Sequence, residues 1–180
     1  LDGQDPELSM IMKRYSLDFL FVSETWARAD SQAPRNADIV YWGPWTDRMT
    51  TGHTHYGVAL FAGQHINRTD ISVTEGVRGH SVWWMYRGIH FGGVYLAPSR
   101  PIEHIQATLV PSSGRSGEIV LIGDFNMRLG LLSGDHLWCG RATDLHPWLM
   151  DRGFTHIPTQ LGEATNVRNR DGLVEERSIV

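Results

Sequence analysis

Short apolar runs, each bounded by turn residues and each too short to make a stable helix, recur along most of this chain and commit it to a sheet-rich fold. Leu17 to Val22 reads as a buried strand ending at Ser23-Glu24-Thr25. Asp38 to Trp42 is a second strand, closed by Gly43-Pro44, and Gly57 to Ala62 a third. Ile71 to Val73 is a short edge. Ser81 to Tyr86 and Ile89 to Leu96 flank Arg87-Gly88, a hairpin turn, and Glu118 to Ile122 runs straight into Gly123-Asp124-Phe125-Asn126.

Helical spacing interrupts this pattern at only a few places. Leu8, Ile11, Met12 and Tyr15 fall on one helix face between Pro6 and Tyr15. Ile102, Ile105 and Leu109 repeat behind Pro101, which suits a first helical turn. Thr143 is placed to cap a helix carrying Leu145, Trp148 and Leu149, stopped by Gly153. Strands with a few helices between them make the chain α/β or α+β. Its 180 residues, with no repeat and no linker, predict one domain over 1–180.

Sixteen Lys plus Arg against twenty Asp plus Glu exclude a wholesale basic coat for nucleic acid, but not a local basic groove. Cys139 alone forms no internal disulfide and no cysteine-rich zinc site. No apolar run spans a bilayer and no signal peptide opens the chain, so the expectation is an intracellular protein without membrane contact.

Polar residues stand where strands finish: Glu24 after the first, Tyr95 near the end of the Ile89 to Leu96 strand, Asp124 and Asn126 after the last. Residues two apart on extended backbone project to one side, so Asp124 and Asn126 can reach one ligand, while Phe125 points into the core. Gly123 lets the chain turn or lets a ligand approach the backbone. Carboxylates with a carboxamide are all-oxygen donors, suited to Mg2+ or Mn2+ rather than zinc. Metal-assisted attack of water on a phosphodiester is the reaction such a site favours.

Val22-Ser23-Glu24-Thr25, Gly93-Val94-Tyr95-Leu96-Ala97-Pro98 and Ile122-Gly123-Asp124-Phe125-Asn126 resemble, in order, motifs of the endonuclease/exonuclease/phosphatase superfamily. Gly57-Val58-Ala59-Leu60 and Asn126-Met127-Arg128-Leu129-Gly130 bring the resemblance closest to the endonuclease domain of non-LTR retrotransposons. The resemblance implies a DNase I-like fold, a four-layer α/β/β/α sandwich. It implies Glu24 as metal ligand, Asp124 orienting or deprotonating the attacking water, Asn126 on the scissile phosphate or metal-bound water, and Tyr95 on a phosphate oxygen. Arg128 is a candidate substrate contact.

The same resemblance implies a DNA substrate, a reverse transcriptase domain in the parent polyprotein, and a nuclear place of action. Relatives with this constellation also act on RNA, inositol phosphates or other phosphate esters. The family's opening strand with its Asn, and its later Asp and Asp-His pair, have no counterpart between Leu1 and Val180. The expectation is therefore a partial domain, lacking the first and last strands, with a non-catalytic remnant as the alternative.

Each candidate also has an ordinary reading. Glu24 alone is a solvated loop carboxylate, Tyr95 a half-buried sheet tyrosine, and Asp124 with Asn126 a turn. His53 and His55 form a polar loop in the absence of a third ligand, Asp135-His136 a loop, and His146 and His156 structural positions. Trp83 and Trp84 face opposite sides of a strand, so at most one of them meets a given ligand. Arg48 and Arg100 lie near loops where phosphates are contacted.

Overall fold

The structure is a computed structural model that describes residues 5–26, 32–33, 38–44, 56–98, 100–110, 117–130, 138–155, 166–170 and 173–177. They fall into two compact units, one of residues 1–97 and 107–123, the other of 98–106 and 124–180. Among the described residues no helix is long and apolar enough to cross a membrane.

The first unit is built on two sheets. One has three strands, β1 (Phe19–Ser23), β2 (Ile39–Gly43) and β3 (Val58–Ala62), in the order β1-β3-β2 and antiparallel throughout. Central β3 is buried on both faces, which explains why its sequence is an unbroken apolar run rather than an alternating one. Its alternate residues split cleanly. Ala59 and Phe61 meet Met12 and Leu8 of helix α1 (Asp5–Arg14), while Leu60 and Ala62 face the other way into the main core. The register of β2 against β3 shifts between Ile39 and Tyr41, a bulge in the edge strand.

The second sheet contains β4 (Ile71–Glu75), β5 (Ser81–Tyr86), β6 (Ile89–Tyr95) and β7 (Ile119–Asp124), in that order. Arg87 and Gly88 close the β5–β6 hairpin with φ of 51° and 80°. Two successive positive φ values are those of a type I′ turn, whose twist matches that of the strands it joins. β6 and β7 run parallel, since His90 donates to Glu118 while Val94 lies against Gly123. Parallel neighbours require a crossover, and helix α2 (Ile102–Leu109) lies on it.

The two sheets pack face to face through Leu60, Ala62, Val82 and Trp84, with Phe19, Phe21, Val73 and Phe91 around them. Trp84 stacks on Phe91 at 5.3 Å, and Phe19 meets Tyr86 edge-on at 5.3 Å. Trp83 points to the opposite face, where the bare backbone of Gly92 leaves room for its ring. Both tryptophans are buried, so neither is a stacking platform. Tyr41 ties β2 to β4 through a 3.0 Å hydrogen bond to Glu75, and burial pushes its phenol well above the ordinary tyrosine range.

In the second unit the main element is α3 (Gly140–Met150). It begins before Thr143, the expected cap. Cys139 and Arg128 are joined by two hydrogen bonds, with Arg128 N donating to Cys139 Sγ and Cys139 N to Arg128 O, both at 3.2 Å. That contact and the Leu129–Trp138 bridge lie immediately before the helix start at Gly140. Thr143 instead accepts a bond from Trp138 Nε1. Strands β8 (Asn166–Arg170) and β9 (Leu173–Arg177) form an antiparallel hairpin. Two packed sheets with a few helices make an α+β sandwich.

Candidate active site

At the end of β1 the backbone leaves the extended region abruptly. Glu24 has φ of 53° and Trp26 of 57°, both left-handed. Each such residue costs about 1–3 kcal/mol, which a surface carboxylate in an ordinary loop has no reason to bear. Between them Thr25 donates its N–H to Gly57 O at the start of β3, fixing the reversal. Glu24 is thereby exposed, and its Oε1 accepts a hydrogen bond from the hydroxyl of Tyr95, the last residue of β6. Its Oε2 accepts none among the described residues.

Tyr95 is not the half-buried sheet residue of the ordinary reading: it is 1% exposed. Tyr56, Val58 and Ala97 pack with it, and His80 stacks on its ring at 6.2 Å with the planes 11° apart. Its hydroxyl is directed at a carboxylate. Tyr95 thus orients Glu24 here, a relation that the sequence reading, which sent the phenol to a phosphate, had not included. Neither Tyr56 nor His80 carried any sequence signal beyond its place at a strand start.

In the second unit Asp124 and Asn126 also meet. Asn126 N donates to Asp124 Oδ1 at 2.8 Å, and its Nδ2 lies 3.3 Å from Asp124 Oδ2. The expected cause was extended backbone, and that is corrected: Asn126 has φ of 45°, so the pair meets because the chain curls back. This is the hydrogen bonding of a turn in which an Asp side chain caps the N–H two residues on. Asn tolerates the left-handed region better than most residues. Phe125, expected in the core, is half-buried.

Arg141, which the sequence reading missed, donates from Nη2 to Pro98 O at 2.5 Å and from Nη1 to Phe125 O at 3.5 Å. Gly123 serves strand packing. Its φ is 142°, and a Cβ there would run into the Val94 carbonyl.

The structure thus pairs Glu24 with Tyr95 in the first unit and Asp124 with Asn126 in the second. Arg128 is half-buried, with its backbone held by Cys139. Arg100 lies beside His104, whose imidazole is held below its usual pKa by burial and then by the Arg100 charge. His146 packs edge-on against Trp138 at 5.7 Å, a structural contact. Arg48, His53, His55, Asp135, His136 and His156 lie outside the described residues.

The donor chemistry fits a hard divalent cation. Glu24 offers an exposed carboxylate with one oxygen held by a phenol and the other not engaged by the described residues. Mg2+ commonly takes only one or two carboxylates and keeps several waters. Among the described residues no group of three or more His, Cys, Asp or Glu side chains stands together.

A family model described as "Endonuclease/Exonuclease/phosphatase family" matches residues 3–172. No curated protein sequence matches the chain significantly.

Proposed function

Since the chain belongs to the endonuclease/exonuclease/phosphatase family, whose reaction is hydrolysis of phosphodiesters or phosphomonoesters, we propose that it is a DNA-nicking endonuclease domain of the kind carried by non-LTR retrotransposons. The family fold is DNase I-like, and its members generally depend on a divalent metal. The observation that carries the reading is the Tyr95–Glu24 hydrogen bond. It joins two of the family-like motifs across 71 positions and fixes the direction of a carboxylate whose own backbone is left-handed.

In this reading Glu24 holds Mg2+ or Mn2+, which when bound would neutralise charge building on the phosphate oxygens. Tyr95 keeps the Glu24 carboxylate in one orientation. Asp124 takes the proton of the attacking water as its oxygen adds to phosphorus and the bond to the departing sugar oxygen breaks. The Asn126 carboxamide donates to the phosphate, and Arg128 contacts the strand nearby.

Two features favour nucleic acid over a small phosphate ester. Gly57-Val58-Ala59-Leu60 and the stretch from Asn126 to Gly130 resemble the retroelement enzymes. Trp26, two residues beyond Glu24, is 57% exposed and presents the kind of aromatic surface on which bases stack. A net charge of −4 makes binding rest on local groups rather than on a basic coat. A reverse transcriptase in the same polyprotein, and action in the nucleus, belong to this reading.

Magnesium-dependent nicking of supercoiled plasmid is the test. Asp124→Ala should lower the rate by about 10²-fold or more, the usual contribution of general acid–base catalysis, and chelator should abolish it. Cleavage unaffected by chelator or by Asp124→Ala would remove the site assignment. A folded protein that leaves DNA intact but hydrolyses an RNA or inositol phosphate would transfer the site to another substrate. One inert toward all of these would be the non-catalytic remnant.

A further inference from the structure

We propose that His80 is a positioning residue for the Glu24–Tyr95 pair: the imidazole locks the tyrosine ring so that its hydroxyl stays aimed at the glutamate. His80 lies just before β5 and is 1% exposed. A polar ring in so dry a place is costly, and an aliphatic side chain would fill the volume at no such cost. What distinguishes the histidine is where it bonds.

Its Nδ1 lies 3.2 Å from Tyr95 O. A carbonyl oxygen only accepts, so Nδ1 carries the proton, which fixes the tautomer. In return Tyr95 N donates to His80 O at 2.7 Å. His80 therefore meets Tyr95 at both its main-chain N–H and its carbonyl oxygen. The 11° stacking of the rings then limits rotation of the phenol about its side-chain bonds. Tyr56 contacts both rings, tilted and 5.0 Å from His80, and edge-on and 6.2 Å from Tyr95.

A second path leads from the same place to the glutamate. Gly57 N donates to Gly79 O, the residue before His80, and Thr25 N donates to Gly57 O, the residue after Glu24. Donor and acceptor of the Tyr95–Glu24 bond are thus both tied back to the segment at Gly79-His80. A shift of His80 moves both at once.

The consequence for metal binding rests on the reading that Glu24 holds the metal, so the test separates the two. Without metal, a Tyr95→Phe, Glu24→Gln double-mutant cycle is measured by urea denaturation, in the native background and in His80→Leu. With His80 present the pair should show a coupling of about fivefold or more in the folding equilibrium constant. In His80→Leu that coupling should fall to about onefold. In parallel, the Mg2+ midpoint for plasmid nicking should rise about tenfold in His80→Leu, the scale usual for groups that orient metal ligands, with KM for DNA little changed.

His80→Asn keeps an N–H near the Nδ1 position and should recover most of the coupling. The same cycle in His80→Asn, compared with His80→Gln, serves if the leucine variant does not fold. Coupling that persists undiminished without the imidazole overturns the proposal, whatever the metal does. Coupling lost with an unchanged Mg2+ midpoint supports the positioning role and removes Glu24 as the metal ligand.

Discussion

The hydroxyl of Tyr95 donates to Oε1 of Glu24, so a buried phenol on β6 sets the direction of an exposed carboxylate just past β1. Removing that one oxygen should not disturb the core, because Tyr56, Val58 and Ala97 hold the ring and not the hydroxyl. Tyr95→Phe is therefore expected to fold normally, losing about 1–2 kcal/mol for the charge-assisted bond. Its effect should fall on metal use instead. The Mg2+ concentration for half-maximal nicking should rise about tenfold, while activity at saturating Mg2+ falls less. A metal titration of the two proteins decides it. An unchanged midpoint with a large loss at saturation would instead place the hydroxyl on the reacting phosphate.

Asn126 combines a backbone demand with a chemical one, and two substitutions separate them. Its φ of 45° is readily adopted by glycine and poorly by alanine. Asn126→Gly should keep stability within about 1 kcal/mol of the native protein, since the N–H that caps Asp124 Oδ1 remains. Asn126→Ala should be the less stable of the two by about 1 kcal/mol. If the carboxamide touches substrate, both variants should lose activity equally, by about tenfold or more. Thermal melting together with nicking rates gives both answers. Activity that tracks stability would reduce Asn126 to a turn residue.

Gly123 leaves no room for a side chain. A methyl group there would press on the Val94 backbone, with carbonyl carbon and nitrogen 2.9 and 3.0 Å away and the oxygen closer still. Backbone cannot swing aside as a side chain can, and φ of 142° already disfavours any L residue. Gly123→Ala should cost about 3 kcal/mol, by forcing β7 away from β6. Urea denaturation checks this, and a variant within about 0.5 kcal/mol of native would mean that the strands yield easily.

The strands were legible because burial on one or both faces leaves a mark in the sequence. β3 reads as a continuous apolar run since both its faces are covered, and the Arg87-Gly88 turn reads from its position between two such runs. The candidate carboxylates were legible from strand ends and motif order. Three features were not. The start of α3 lies beside the contact of Cys139 with Arg128, residues 11 apart whose types announce nothing. The left-handed turn at Asn126 goes with a hydrogen bond to Asp124 two residues back, where alternation suggests a straight strand. His80 and Arg141 act through main-chain carbonyls, which are the same at every residue and so leave no pattern to read.

His104 gives the protein a pH dependence of predictable sign. Partial burial, and after it the charge of Arg100, hold the imidazole below the pKa of 6.5 that it has when unfolded. Protonation is therefore easier in the unfolded chain, which binds more protons than the native protein in the interval between the two pKa values. Stability must then rise with pH across that interval. The contribution of His104 is complete above about pH 6.5 and is lost as the pH falls through the lower, native value. Carboxylates impose a loss of the same sign at more acidic pH, so the histidine has to be isolated by substitution. His104→Gln keeps a polar side chain of similar length and does not titrate. Between pH 7.5 and 5.5 its melting temperature should decline less than that of the native protein. Parallel declines would show that His104 titrates alike in both states and that the Arg100 charge is screened by water.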